Sequence, residues 1–489
     1  GNVAPMLHQC CGGAGTTATS LPGEGNVAPK TKRVRVHAAL APSSPPRAPL
    51  LSSTRAMAFI HRLGLNHALK LLDPIVHPIV NYGPNARLKN AVNIWDLRAL
   101  AQQRTHQMCF GYLDSGADDE IAIKRSRSAY DDYEMHYRVL AGNSPDTLDL
   151  RTEIFGREVS SPLFMCPTAG HRMFHTLGER AGAAVAAEKG LLFGLSSLAT
   201  TSVRDIGKEH PPSLPKVFQL YLWKDKGLNR DLLAQAREAG YDAVALTADF
   251  TWFGNRERDR RNGFSVPPSY SVRQVIEAIK RPAWTWDFLT NPTYTYANID
   301  GTVPAESMAH FINSQLCPDF TWEDAEWIAQ EWGGKFALKG VVRADDAVKA
   351  LDHGFTSIWV SNHGGRQLET APPTIDVLPE IRDAVGNDVE IILDGGIMRG
   401  THVAKAIALG ADAVGCGKAF LYGLAAGGKP GVAKAMDILD DELRRAMGLL
   451  GCRTVQELKE LGPSLIRKRG QVPGSNEAIA HNERVAATC

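Results

Sequence analysis

Acidic residues are nearly missing from the first part of this chain. Glu24 is the only one before Asp73, whereas Lys30, Lys32, Arg33, Arg35, Arg47 and Arg55 are basic. Residues 1–57 are rich in Ala, Ser, Pro, Gly and Thr, a composition that cannot bury a core of its own. It reads as a disordered, transit-peptide-like segment for a mitochondrion or plastid. A plain basic tail or a gene-model artefact is the alternative. Gly-Asn-Val-Ala-Pro occurs at both 1–5 and 25–29, and the chain does not begin with Met.

Other absences narrow the class. No apolar run reaches the ~18 residues of a membrane span. The net charge of +1 over 489 residues gives no footprint for nucleic acid. Eight cysteines show neither a CxxC pair nor a metal-ligand spacing. Cys166 and Cys416 lie inside apolar runs and read as small core residues of a reducing compartment. The terminal Ala-Ala-Thr-Cys is neither a peroxisomal nor a prenylation signal.

What is present is an ordinary apolar fraction and a rhythm. Residues 58–90 form a linker or an accessory segment. From Asn93, an N-cap candidate, Ile94, Leu97, Leu100 and Ala101 share a helical face. A second helix is expected to run through Tyr137, and these helices should sit as a lid or plug beside the main domain. From about residue 161, short apolar runs alternate with amphipathic stretches. The runs are Leu163–Cys166, Leu191–Leu195, Val217–Tyr221, Ala243–Thr247, Phe336–Lys339, Ser357–Val360, Val389–Leu393 and Ala413–Cys416.

This alternation predicts an α/β fold, a (β/α)8 TIM barrel with an N-terminal helical segment, ending near residue 467. A doubly wound open sheet is the rival. A long Pro- and aromatic-rich excursion follows the fourth strand, between Asp249 and Phe336. After the eighth strand, Val432, Met436, Leu439, Leu443, Met447 and Leu450 keep helical spacing, and Gly451 stops that helix. Residues 468–489 read as a flexible tail.

Barrel chemistry gathers where strands end. Those ends carry Thr168 and Ala169, then Ser196, then Gln219 and Tyr221, then Thr247, Asp249 and Arg256. Lys339 closes the fifth strand. The sixth opens into Ser361-Asn362-His363-Gly364-Gly365-Arg366-Gln367-Leu368. Asp394, Gly395 and Gly396 follow the seventh strand, Gly417 and Lys418 the eighth. Singly, each is a helix cap, a turn or a solvated charge. Together they suit one task. The glycines can cradle a phosphate. Gln, Thr and Ser can hydrogen-bond a planar heterocycle, and a Lys can stabilise negative charge on it. Two arginines and a tyrosine can hold a carboxylate, and a His beside an Asp can take a proton. That describes flavin mononucleotide with a hydroxy acid.

The stretch 361–368 resembles the active-site signature of the FMN-dependent L-2-hydroxy-acid oxidases and dehydrogenases. That family includes glycolate oxidase, lactate oxidase, mandelate dehydrogenase and the flavocytochrome lactate dehydrogenases. The resemblance runs from about Leu97 to Leu461 and includes residues 112–120, 167–169, 195–200, 218–221, 245–249, 338–341 and 393–396. It implies an enzyme that oxidises a small L-2-hydroxy acid, such as lactate, glycolate or a longer acid, to the 2-oxo acid. The hydroxyl proton would pass to His363 and the C2 hydrogen to flavin N5. Asp249 would orient His363. Arg256, Arg366 and Tyr112 would bind the carboxylate, Tyr221 the substrate oxygen, and Leu198 would face the side chain. Lys339 would lie near flavin N1 and O2. Thr168, Ala169, Ser196, Gln219, Thr247, Ser361, Asp394, Gly395, Gly396, Arg399, Gly417 and Lys418 would hold FMN. The resemblance further implies a homo-oligomer, a tetramer, with oxygen, a quinone or a cytochrome as electron acceptor.

Three positions depart from the family pattern. Met398 stands where the family has Arg, with Arg399 next to it. Lys418 stands where it has Arg, and Leu198 where glycolate oxidase has Trp. The first two bear on the FMN phosphate, the third on substrate size. No His-Pro-Gly-Gly haem motif is present. Arg258, in the charged run after the fourth strand, is expected to be peripheral. The competing readings are a catalytically silent FMN-binding paralogue and another FMN barrel, such as a type-2 isopentenyl diphosphate isomerase.

Overall fold

The computed structural model describes residues 69–470, apart from 211, 265–270, 293–294 and 300–313. The transit-like segment 1–57 and most of the expected tail lie outside the described residues.

Eight parallel strands close into a barrel. They are β1 (Leu163–Met165), β2 (Phe193–Ser196), β3 (Lys216–Leu220), β4 (Ala243–Thr247), β5 (Lys335–Val341), β6 (Ser357–Val360), β7 (Glu390–Asp394) and β8 (Ala413–Cys416). Neighbours in sequence are neighbours in space, and β8 closes the ring against β1. The strands read as near-continuous apolar runs because both faces are buried. Inside the ring, Phe164 and Trp359 meet edge to face at 5.3 Å. Ala243, Ala245, Ala337 and Ala413 leave room for these large rings.

A hairpin, Thr152–Ile154 with Arg157–Val159, closes the N-terminal end. Its Ile154 and Phe155 join the interior cluster. The Phe155 N–H donates to Glu390 Oε1 at 2.8 Å, at the start of β7. The other end stays open to function.

Helices lie between strands, as the alternation predicts, for example Glu179–Lys189, Lys226–Glu238, Ala344–Asp352 and Gly400–Ala408. Lys418–Leu450 begins directly after β8, is broken at Gly427 and Gly428, and ends at Gly451 with φ 80°. Only its second half showed a clean period in the sequence.

Two expectations need correction, and the choice left open for residues 69–90 is narrowed. The helix expected to run through Tyr137 stops at Ser128. Tyr133–Met135 instead forms a strand antiparallel to Ile466–Lys468, so the start of the expected tail is ordered by pairing. Residues 69–90 are not a bare linker. Asp73–Lys89 is a helix, and its Leu88 enters the main core. Asn93 caps Ile94–Arg104 as expected, its Oδ1 accepting from the Asp96 N–H at 2.9 Å. Gln107–Asp114 and Ile121–Ser128 then reach the open end of the barrel, where Tyr112, Ile123 and Ser126 line its cavity.

Candidate active site

A cavity of about 740 Å³ sits at the C-terminal ends of the strands. Thr168, Ala169, Ser196, Leu198, Gln219, Tyr221, Thr247, Lys339, His363, Arg366, Asp394, Gly395, Gly396, Gly417 and Lys418 line it. Tyr112 and Arg256 complete the wall from outside the strands. Asp249 and Ser361 stand directly behind it and act through partners.

Its floor is a polar ladder built from strand register. Ser196 pairs with Gln219 across β2 and β3, and Thr247 with Lys339 across β4 and β5. Ser196 Oγ donates to Gln219 Oε1 at 2.8 Å, and Gln219 Nε2 donates to Thr247 Oγ1 at 2.9 Å. Lys339 Nζ donates to Ser361 Oγ at 2.8 Å and lies 3.1 Å from Asp394. Ser361 Oγ donates to Asp394 Oδ1 at 2.6 Å and accepts from the His363 N–H at 3.1 Å. Burial opposes the charge on Lys339, but Asp394 and Asp249 outweigh it and raise its pKa.

His363 and Asp249 face each other across β4 and β6. Nδ1 of His363 lies 3.0 Å from Asp249 Oδ1. A carboxylate accepts there, so Nδ1 carries hydrogen and Nε2 is the basic nitrogen. Burial lowers the His363 pKa, and Asp249 partly offsets this. Burial raises the pKa of Asp249, yet His363 and Lys339 bring it below the ordinary carboxylate value. The dyad is thus a neutral imidazole on an ionised carboxylate. His363 holds φ 55°, in the left-handed region, where a non-glycine side chain is strained. Gly365 follows at φ 71°, and a Cβ there would lie 2.5 Å from the backbone N of Ile123. At Gly340, a Cβ would lie 2.7 Å from Asp249, so only glycine lets β5 pass this close.

The rest of the wall has an excess of positive charge. Arg256, Arg366 and Lys418 have no carboxylate partner among the described residues. Arg366 lies 4.8 Å over the Tyr112 ring, and its Nη1 donates to the Tyr112 and Ser115 carbonyls at 2.7 and 3.0 Å. Burial, then Arg366, lowers the Arg256 pKa. Burial, then Arg366 and Arg127, holds Lys418 well below its ordinary value. Desolvated cations this close to one another call for anions.

FMN fits these residues. Its phosphate would meet Lys418, its planar ring the Ser196–Gln219–Thr247 ladder, and Arg256 and Arg366 would be left for the acid substrate. Lys339 would set a positive charge beside that ring. Gly395 and Gly396 turn with φ 106° and 78°, and a Cβ at Gly396 would lie 1.9 Å from the Ser126 carbonyl oxygen. A Cβ at Gly417 would fill open space in the cavity, meeting only Thr168 Cγ2 at 3.7 Å.

Arg399 is the exception among the expected contacts. Its Nη1 lies 2.6 Å from Glu442, and it lines a separate small pocket. Glu442, on the helix after β8, draws it away, whereas Met398 is buried against the FMN cavity. Arg258 also needs correction. It pairs with the buried Asp114 at 2.7 Å and with Glu120, so it is a structural residue and not a peripheral charge.

A family model described as FMN-dependent dehydrogenase matches residues 101–467. The chain belongs to that family. It is accordingly an FMN-dependent oxidoreductase that converts a 2-hydroxy acid to the 2-oxo acid. An L-lactate oxidase of Nostoc sp. is 38% identical over 76% of this chain and 97% of that protein. Human 2-hydroxyacid oxidase 1 is 36% identical over 78% and 98%. A crystal structure of the monotopic membrane protein (S)-mandelate dehydrogenase matches with a TM-score of 0.74 and 31% identity, over 78% of this chain and 100% of that one. Membership sets aside the isomerase reading.

Sequence reasoning missed several residues of this FMN-dependent dehydrogenase site. Gln367 is the clearest. Its Nε2 donates to the Asp249 and Trp252 carbonyls at 3.0 and 2.7 Å. Its Oε1 accepts from the Gly254 N–H and from Arg256 Nη2 at 3.2 and 3.1 Å. One amide thus ties the whole turn after β4. Its presence inside the 361–368 stretch was the available signal. Phe250 is a second, its ring 5.5 Å from that of His363. No single-residue pattern pointed to it.

Proposed function

We propose that His363 is the base of the reaction. The observation that carries this reading is the Asp249–His363 dyad, 3.0 Å apart, at a cavity with two arginines that lack acidic partners among the described residues. Arg256 and Arg366 clamp the substrate carboxylate, with Tyr112 beneath Arg366. Tyr221 bonds the substrate hydroxyl oxygen. His363 Nε2 takes the hydroxyl proton, and Asp249 stabilises the imidazolium that results. FMN, when bound, supplies the two-electron acceptor for the C2 hydrogen. Lys339 and the ladder hold it, and Lys418 takes its phosphate.

The substrate-side wall is apolar, with Leu198, Phe250, Phe253 and Phe264. It suits L-lactate or a longer or aromatic L-2-hydroxy acid better than glycolate. The electrons then pass to oxygen, a quinone or a cytochrome. By the same reading the enzyme is a homotetramer, and the transit-like N-terminus directs it to an organelle.

The test is anaerobic mixing of the yellow holoenzyme with glycolate, L-lactate, L-2-hydroxybutyrate and L-mandelate. Bleaching is expected, fastest with the larger acids, and air should restore colour if oxygen is the acceptor. A flavin that none of these acids bleaches would instead indicate a silent paralogue.

A further inference from the structure

The cavity wall holds a further cation that neither the carboxylate clamp nor the dyad uses. Arg127, on the helix Ile121–Ser128, lines the same cavity as Lys418, Gly395, Gly396 and Met398. Its backbone is pinned to the glycine turn and to the loop after β6. Ser126, the residue before it, accepts from Asn362 Nδ2 at 2.8 Å through its Oγ. Tyr130, three residues on, donates its hydroxyl to the Gly395 carbonyl at 3.0 Å. A Cβ on Gly396 would run into the Ser126 carbonyl oxygen, so helix and turn touch backbone to backbone.

Arg127 has no carboxylate partner among the described residues. Its Nη2 makes a long bond, 3.4 Å, to the Tyr422 hydroxyl, and its guanidinium lies 5.3 Å over the exposed Trp95 ring. Tyr422 leads on to Asp114, but that carboxylate is already occupied. It accepts from Tyr422 at 2.6 Å, from Arg98 at 2.7 Å on both oxygens, and from Arg258 at 2.7 Å. A guanidinium carries five N–H donors in a fixed fork that suits a phosphate. Lys418 is short of an anion in the same way, and Arg127 is among the cations that hold its pKa down, after burial and Arg366. Met398 adds no charge here, and Arg399 is held by Glu442.

We propose that Arg127 binds the FMN phosphate together with Lys418. The assignment rests on the reading that puts the phosphate at Lys418. A phosphate monoester carries about −1.5 to −2 charges near neutral pH, more than one ammonium balances. Arg127 and Lys418 together match it. The helix Ile121–Ser128 is then part of the cofactor site and not only a lid beside it, because the phosphate ties it to the Gly395–Gly396 turn and to the start of Lys418–Leu450. The competing role is a structural clamp of that helix on Trp95 and Tyr422. Such a clamp would not distinguish a flavin with a phosphate from one without.

The experiment is fluorescence titration of the flavin-stripped full chain with FMN and with riboflavin, which lacks the phosphate. Arg127→Met should raise the FMN Kd by roughly tenfold to a hundredfold, the loss of one charge-assisted hydrogen bond, and leave the riboflavin Kd within about twofold. Its Tm without flavin should equal that of the wild type. Arg127→Lys should recover part of the FMN affinity, since it keeps the charge and loses the fork. Lys418→Met should show the same selective loss of FMN. An FMN Kd unchanged in Arg127→Met but raised in Lys418→Met overturns the role of Arg127 and leaves the phosphate at Lys418. An FMN Kd unchanged in both variants places the phosphate elsewhere and overturns the underlying reading as well. Equal losses for FMN and riboflavin, or a lowered flavin-free Tm, assign Arg127 to the structural clamp and overturn the proposal.

Discussion

Arg366 and Lys418 meet on one carbonyl oxygen. Nη1 of Arg366 and Nζ of Lys418 each donate to the Ser115 carbonyl at 3.0 Å. Two half-buried cations sharing one neutral acceptor are under-neutralised, and an incoming anion relieves both. Lys418 begins with a depressed pKa, from burial and then Arg366 and Arg127. An anion beside it raises that pKa, so binding takes up a proton. FMN affinity should therefore be greatest below the cofactor-free pKa of Lys418 and fall as pH rises through it. Flavin-fluorescence titration over a pH series measures this. Lys418→Met should weaken FMN binding, by roughly 1.5–3 kcal/mol for one lost charge-assisted hydrogen bond, and flatten the pH dependence. A slope that persists in the variant assigns the proton elsewhere.

The dyad makes a second pH prediction with a definite sign. The proposed base His363 works only when neutral, and burial has already lowered its pKa. The acidic limb of kcat/KM should lie below the ordinary imidazole value, with activity present above it and lost as pH falls through it. Asp249→Asn removes the charge that supports the imidazolium. The limb should move lower still, with turnover reduced by about 10²–10⁴-fold. His363→Gln should retain flavin and lose turnover to a similar degree.

Gln367 touches the proposed carboxylate clamp at Arg256. Its amide fixes Asp249, Trp252, Gly254 and Arg256 together. Gln367→Ala should raise KM and lower kcat/KM by roughly tenfold to a hundredfold, with bound FMN unchanged. Gln367→Glu keeps the acceptor for Arg256 but loses both donors, so it should restore KM more than kcat. Equal effects of the two variants on both constants would reduce Gln367 to a structural role.

Three arginines in and near the turn after β4 should separate by role. Arg366→Lys should be severe for kcat/KM, since an ammonium cannot reproduce a bidentate carboxylate contact. Arg261→Lys should do little, because its one ion pair among the described residues is an exposed one with Glu257. Arg258→Lys should leave catalysis largely intact and lower Tm. It breaks a two-carboxylate bridge to Asp114 and Glu120, at a cost of about 1–3 kcal/mol.

Leu198 lines the cavity and is nearly buried. Leu198→Trp should narrow the pocket and shift preference toward glycolate. One methyl is worth roughly 0.8 kcal/mol, so the wild-type preference for L-lactate over glycolate should be only a few-fold, with a larger change for L-mandelate. Measuring kcat/KM for each acid in both proteins checks it. An unchanged ranking removes Leu198 as the size gate.

The local chain determined most of the barrel. A buried parallel strand needs a short continuous apolar run, and each of the eight runs became a strand within a few residues. Polar side chains at the ends of such runs face one mouth, so the gathering of His363, Asp249, Lys339 and Arg256 at the cavity was legible in the sequence. Tertiary structure decided what local pattern cannot encode, namely which distant group completes each residue. Arg256 and Arg258 stand two residues apart in one charged run. One turns into the cavity, and the other is taken by Asp114 and Glu120. Arg399 and Met398 are neighbours, and Glu442 on the helix after β8 draws the arginine away. Tyr133–Met135 reads as helix until Ile466–Lys468 offers it a strand edge. The period of Val272–Ile279 shows a two-faced helix, but Gly263 and His106 choose the polar face as the inner one. In each case the local pattern allows two environments of similar free energy, and a partner far along the chain tips the balance.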